Sequence, residues 1–327
     1  MAKLTLEEKL AAVNQLARGP VDDDTVRGLR AGLHDASNMV MARATEIIGE
    51  RLIDAIIPEL IAVFTSLIQS RQPVSADKLC RAKEALVLAL DALHNIDVDP
   101  YLLGLNYIQM EPVYGGKADT AGIVRANCAT ALSRLHYHEL ALVLAPMLFD
   151  AEVQPRIAAV KALKYAGGEA AEVALHVKIH AGDTAPEVIG EAFIALLDID
   201  PERELPFVTE CLNGGDTERT EQAALALGTA RLPESFAILQ KFWASNTDLE
   251  LRKPLLLAIA LTRSDEAFSY LLNILAEESL TTALHTLDAL AIIYGPEKTR
   301  RERIAETIKK RHTPRLADAF MGYFPLG

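Results

Sequence analysis

Aromatic side chains are scarce in this chain: 6% of 327 residues, with a single Trp. That shortage speaks against a β-sandwich or barrel, whose strands draw on aromatic and β-branched residues. Cysteine is scarcer still. The three, at 80, 128 and 211, stand far apart with no CxxC among them. This excludes a disulfide framework or a cysteine-built zinc site and leaves small core residues in a reducing compartment. Long apolar runs are missing as well. The greasiest stretch, "LIDAIIPELIAVFTSLI", is broken by Asp54, Pro58 and Glu59, too short and too polar to cross a bilayer. "MAKLTLEEKL" holds no apolar segment of the secretory kind, so the expected location is cytoplasmic. Positive charge is outnumbered, 33 Lys and Arg against 45 Asp and Glu, for a net −12. A general affinity for phosphate backbones is therefore not expected, and nucleic acid is set aside as a partner. One stretch departs from this balance, "EKTRRERIAETIKKRHTPR" over 297–315, read as the solvated face of a terminal helix.

Half of the residues are hydrophobic, and Ala and Leu dominate them, which is helix-forming material. Aligned on acidic residues, the chain repeats itself. Asp150 leads "DAEVQPRIAAVKAL", Asp183 "DTAPEVIGEAFIAL", Asp216 "DTERTEQAALALGT" and Asp248 "DLELRKPLLLAIAL". Nine, twelve and thirteen positions beyond each anchor stand Ala159, Ala162 and Leu163; Ala192, Ala195 and Leu196; Leu225, Gly228 and Thr229; Leu257, Ala260 and Leu261. Those offsets share one face of a helix. Asp35, Asp77, Asp119 and Glu278 extend the register, with spacings of 42, 42, 31, 33, 33, 32 and 30. A period near 33 holds two helices of roughly a dozen residues and their turns. One such hairpin cannot bury its apolar face alone, so neighbours must stack. The small residue at offset twelve lets the next helix come close. Helix starts fit capping boxes at Thr5–Glu8, Thr184–Glu187 and Thr247–Glu250, and the acidic anchors sit where an N-cap or first-turn carboxylate favours the helix.

The pattern of Asp, small and apolar positions, "AL" or "ALG", then a short second helix resembles HEAT repeats, with "AALALGTARLPESFAIL" (223–239) its clearest copy. The short period looks most like the HEAT-like repeats of phycobilisome lyases. The resemblance implies an all-α fold, a right-handed α-solenoid of about eight HEAT-like hairpins. It covers roughly 35–295, with N-terminal capping helices in 1–34 and a C-terminal capping helix and tail in 296–327. Proteins of that kind are mostly scaffolds that hold proteins or peptides on a concave surface, here expected to be lined by second-helix side chains. The expectation is a non-enzymatic protein- or peptide-binding scaffold, without cofactor. The alternative is a lyase-like or DNA glycosylase-like enzyme with its site in the groove.

Both spacings of 42 exceed the period by about ten residues, just before an anchor. The excess falls near 66–76, in "SLIQSRQPVSAD", and near 107–118, in "YIQMEPVYGGKAD". Equivalent connections in consecutive repeats emerge side by side, which predicts a local lobe. Tyr107, Glu111, Tyr114, Lys117 and Asp119 bring aromatic area and both charges there, so this lobe is the expected partner site. It is no nucleotide loop: Gly116-Lys117 is followed by Ala118, and Glu111 stands where a P-loop has its first Gly.

Other chemistry is thin. Glu172, His176 and His180 fall at i, i+4 and i+8 and could share a zinc ion; the pattern is read as the solvated face of a second helix, and no metal is expected. His136, His138 and Glu139 lie in a turn. HEAT-like deoxyhypusine hydroxylases hold two irons with several His-Glu pairs, whereas this chain has only His138-Glu139. There is no nucleophile elbow, and no Ser, His and Asp spacing suggests a triad.

Overall fold

A computed structural model describes residues 4–324; expectations for 1–3 and 325–327 lie outside the described residues. Among the described residues the secondary structure is α-helical apart from one small hairpin, and the chain divides between Ala171 and Glu172 into two compact units.

The first unit opens with α1 (Leu6–Gln15) and α2 (Asp23–Leu33), followed by α3 (Asn38–Glu50), α4 (Ile57–Ile68) and the single turn α5 (Pro73–Ala76). Then come α6 (Arg81–Ala92), α7 (Asp99–Leu105), the strands β1 (Met110–Val113) and β2 (Gly116–Asp119), α8 (Gly122–Arg134), α9 (Leu140–Leu144) and α10 (Val153–Ala166). The helices that follow the anchors, α3, α6, α8 and α10, stack side by side, and α1 continues the row on α3. Helix α11 (Gly168–Ala181) carries the division. The second unit continues with α12 (Pro186–Ile199), α13 (Pro201–Leu212), α14 (Thr217–Ala230), α15 (Ser235–Ser245), α16 (Leu249–Leu261), α17 (Asp265–Glu277), α18 (Leu280–Tyr294), α19 (Lys298–Arg311) and α20 (Pro314–Tyr323). Here α12, α14, α16 and α18 form the stacked row.

Small residues sit where the rows close. Ala159, Ala192, Ala195 and Ala260 are fully buried, and Ala131 and Ala162 nearly so. Gly228 is the extreme case: a Cβ there would lie 2.2 Å from the carbonyl oxygen of Ala258 on the next helix. Backbone-to-backbone approach of that kind admits no side chain.

Helix starts follow the anchors, though less uniformly than expected. Thr5 and Glu8 form a reciprocal capping box. Thr184–Glu187 and Thr247–Glu250 do not: α12 starts at Ala185 without a side-chain cap, and Asp248 itself caps α16 through the Glu250 N–H. Asp216 also caps directly, accepting from the Arg219 N–H. Asp35, Asp119, Asp150 and Asp183 instead accept from the N–H two residues on, at Ser37, Ala121, Glu152 and Ala185. That bond closes an Asx turn ahead of the helix.

Helix ends in the first unit are also in register. Leu52, His94, His136 and Gly167 each lie seventeen residues after their anchor, and all four have positive φ, between 50° and 64°. After the first three, the next N–H returns to a carbonyl five residues back: Ile53 to Ile48, Asn95 to Leu90, Tyr137 to Leu132. This is the Schellman stop. His136 therefore ends a helix instead of contributing chemistry. At the C-terminus α20 packs on α18, with Phe324 against Gly295 and the Tyr323 hydroxyl donating to Asp288.

Candidate binding site

The second insertion is a β-hairpin, which the sequence reading did not expect. Met110 pairs with Asp119, Glu111 with Ala118, Pro112 with Lys117 and Val113 with Gly116. Tyr114-Gly115 makes the two-residue turn, and Gly115 supplies the required positive φ of 88°. The first insertion holds α5; just past its anchor Asp77 the chain makes a joint at Leu79-Cys80, both residues with positive φ at 61° and 54°. Non-glycine residues hold that conformation only where their surroundings over-determine it.

A buried polar network ties the two insertions together. Asp77 and Lys83 are both fully buried. One oxygen of Asp77 accepts from the Ala82 N–H at 3.0 Å and from Asn38 at 2.9 Å; the other accepts from the Lys83 N–H at 2.9 Å and its ammonium at 3.3 Å. The ammonium also donates to Gln109 Oε1 at 3.1 Å, and the Tyr107 hydroxyl donates to the same oxygen at 2.6 Å. The Gln109 amide nitrogen donates to the Asp77 carbonyl and to Glu111. Glu111 is 2% exposed, and its Oε1 also accepts from Thr120 Oγ1 at 2.8 Å and the Leu79 N–H at 2.6 Å. Burial alone would raise its pKa. The bonds from Gln109, Thr120 and the Leu79 N–H outweigh burial and hold the carboxyl below its ordinary value. Burial pushes the neighbouring Cys80 thiol up to about 11, so it stays protonated and unreactive at neutral pH.

Asp119 closes the base of the hairpin. One oxygen accepts from the N–H groups of Gln109 and Ala121; the other takes Arg125 at 2.7 Å. Arg125 also donates to the Tyr107 carbonyl and grips both oxygens of Asp150 at 2.7 and 2.8 Å. One guanidinium thus bridges the anchors of two consecutive repeats. Lys83, Arg125 and Arg156 all stand six residues after an anchor. That recurring basic position is a legible signal, and the sequence reading passed over it.

Of the five residues expected to meet a partner, Tyr107, Glu111 and Asp119 are spent on internal bonds. Tyr114, at the tip, is fully exposed, and Lys117 is exposed beside it. A recess lies next to the joint. It is a groove of about 860 Å³ over α1, α3 and α6, floored by Leu10, Met39, Ala85 and Leu88. Leu79 lines it too, on the residue whose N–H is held by Glu111. The rim carries both charges. Arg43 pairs with Glu46 and Glu50, and burial raises the Glu84 carboxyl above its usual range. The groove belongs to first helices, not to the second helices on which the concave lining was expected. Met39, Leu79 and Leu88 are 40 to 48% exposed there.

The Glu172–His176–His180 stripe does not converge on a metal. Glu172 is buried and receives Arg203 at 2.8 Å, His176 Nε2 meets Glu204 Oε2 at 2.9 Å, and His180 packs by Phe207. Glu172 and His176 face α13 through these contacts, while His180 stays exposed. Among the described residues no group of three His, Cys, Asp or Glu is placed to hold a metal, and no helix is long and apolar enough to cross a membrane. Trp243 is buried, with the Arg252 guanidinium 4.3 Å from its ring centre.

No protein-family profile matches the chain, and no curated protein does. Solved structures do. Human deoxyhypusine hydroxylase in complex with glycerol aligns at 19% identity and TM-score 0.31, covering 80% of this chain and 92% of its own. An engineered protein aligns at 20% and 0.41, covering 98% and 95%. The complex of CpcE and CpcF of phycocyanin lyase from Nostoc aligns at 17% and 0.32, covering 90% and 98%. Likeness at this level decides neither fold nor activity. It does correct one expectation. A hydroxylase and a lyase stand among the neighbours, so the reading of this chain as non-enzymatic is withdrawn: helical architecture of this kind gives no ground for excluding catalysis.

Proposed function

We propose that this chain binds a protein partner through a peptide segment seated in the α1–α3–α6 groove and touched by the neighbouring hairpin tip. The supporting observation is the Glu111–Leu79 bond. A buried carboxylate on the hairpin holds a strained joint whose side chain lines the groove, so hairpin and groove are positioned as one surface. The segment carries apolar residues on the side that enters, to cover Met39, Leu79 and Leu88, and mixed charge along its edges, to meet Arg43, Arg81, Glu46 and Glu84. Tyr114 and Lys117 make direct contact, while Tyr107, Glu111 and Asp119 fix the hairpin that presents them. The helical hairpins are of HEAT-like type, about eight in number and wound right-handed, with the array in 35–295, capping helices in 1–34 and a capping helix and tail in 296–327. Cytoplasm is the proposed location.

A photo-reactive phenylalanine placed at 88, 114 or, as a control, 241 tests the reading. Cross-linking to one discrete partner from positions 88 and 114 but not 241, abolished by Met39→Glu, supports it. Equal labelling from all three positions, or none from 88, overturns it.

A further inference from the structure

A second recess, of different chemistry, lies in the other unit. Helices α17 and α19 enclose a groove of about 380 Å³ lined by Ser269, Leu272 and Asn273 on one side and Arg303, Thr307 and Lys310 on the other, with Arg311 at one end. No carboxylate lines it, in a chain of net charge −12. Helix α19 carries seven cations and two carboxylates, a local charge of +5. Three of those cations are already committed. Arg300 pairs with Asp265 and Glu297, Lys298 with Glu302, and Arg311 donates to the carbonyls of Leu275 and Glu278 at the end of α17.

Arg303 differs. Its guanidinium lies 4.8 Å from the ring centre of the fully buried Phe268 and makes no ion pair among the described residues. A guanidinium held over a ring can still donate its N–H groups to a carboxylate. Lys310 is 74% exposed and paired only with Glu306 one turn away, a surface pair that water or another carboxylate readily replaces. Arg303 and Lys310 are seven residues apart on the helix, roughly 10 Å. An extended peptide covers roughly that distance in three residues. Between the two cations the floor is Leu272 and Ala276, and Ser269, Asn273 and Thr307 offer hydroxyl and amide groups.

We propose that this groove binds a short acidic peptide segment in extended form. Carboxylates at positions i and i+3 meet Arg303 and Lys310, and an apolar side chain between them rests on Leu272. Nucleic acid fits the same cations less well, because the acidic remainder of the chain repels a long polyanion. The inference is independent of the groove proposed above, which lies in the other unit.

Fluorescence anisotropy of the full chain with a labelled, capped peptide carrying two glutamates three positions apart around a leucine tests it. Saturable binding is expected, lost when the glutamates are replaced by glutamines. Lys310→Glu weakens binding about tenfold, and Lys298→Glu, the same charge change on the same helix outside the groove, leaves it within about twofold. Arg303→Gln weakens it comparably; if that variant unfolds by circular dichroism, Lys310→Glu still reports, since Lys310 is largely exposed. The proposal is overturned if the peptide does not saturate, if Lys298→Glu weakens binding as much as Lys310→Glu, or if a ten-nucleotide single strand binds more tightly than the peptide.

Discussion

The two units repeat on acidic anchors and differ in what stands six residues after them. In the first, Asp77, Asp119 and Asp150 are each followed six residues later by a cation, and Arg125 clamps two anchors at once. In the second, the equivalent positions are Ile189, Gln222 and Pro254; Asp183 meets Lys178 of the preceding helix instead, and small residues close the row as they do in the first unit, down to a Gly228 pressed on backbone. Helix stops differ likewise, at offset seventeen in the first unit and at Arg231 and Arg263, offset fifteen, in the second. Directional bonds need a register held to the residue, so the first unit keeps its stops constant and absorbs its extra length in insertions outside the helices. Apolar contact tolerates variation, and the second unit varies.

Five substitutions test that contrast, in falling order of effect. Arg125→Met strands Asp119 and Asp150 in a dry joint, and breaking a buried pair this way costs about 3–5 kcal/mol. Urea unfolding should show that loss; a loss below about 1 kcal/mol would reduce the clamp to decoration. Gly228→Ala forces α14 away from α16, and Ala195→Leu overpacks the same row. Each should lower stability by about 1–3 kcal/mol, read as a drop in melting temperature, and an unchanged temperature for either would mean the rows are looser than they look. Glu111→Gln acts through pH. The folded pKa of Glu111 lies below its ordinary 4.5, so its contribution is present above pH 4.5 and lost as pH falls through the folded value. The parent chain should lose stability on acidification that the Gln variant lacks, and parallel acid profiles would remove Glu111 from the account. Tyr114→Ser, at a fully exposed tip, should change stability by less than about 0.5 kcal/mol while removing the cross-link from position 88.

Much of the helical framework was legible because a repeat states the same constraint several times. Offset twelve is buried at all eight anchors, and offsets nine and thirteen with it at the five from Asp35 to Asp183, whereas Leu225, Thr229, Leu257 and Leu261 are not buried; one coincidence can be dismissed where five cannot. The hairpin was not legible. "MEPVYGG" carries a Pro in one strand and no sustained alternation, and its two strands are held by Gln109, Asp119 and Glu111 as much as by each other. The candidate site was half legible. Insertion lengths located the lobe, but residue type alone could not separate Glu111, turned inward to Leu79, from Lys117, turned outward. The stripe from Glu172 to His180 failed for a related reason: Arg203 and Glu204, some thirty residues on, decide what that face meets.

Spacing along the chain was enough to set the helices, their period and the positions where only a small side chain fits, since those are local demands on backbone and volume. Which polar groups face each other across the insertions, and therefore which side chains remain free for a partner, was decided only when distant segments were brought into contact. A carboxylate has the same chemistry in either place; its surroundings determine whether it holds the fold together or reaches out of it.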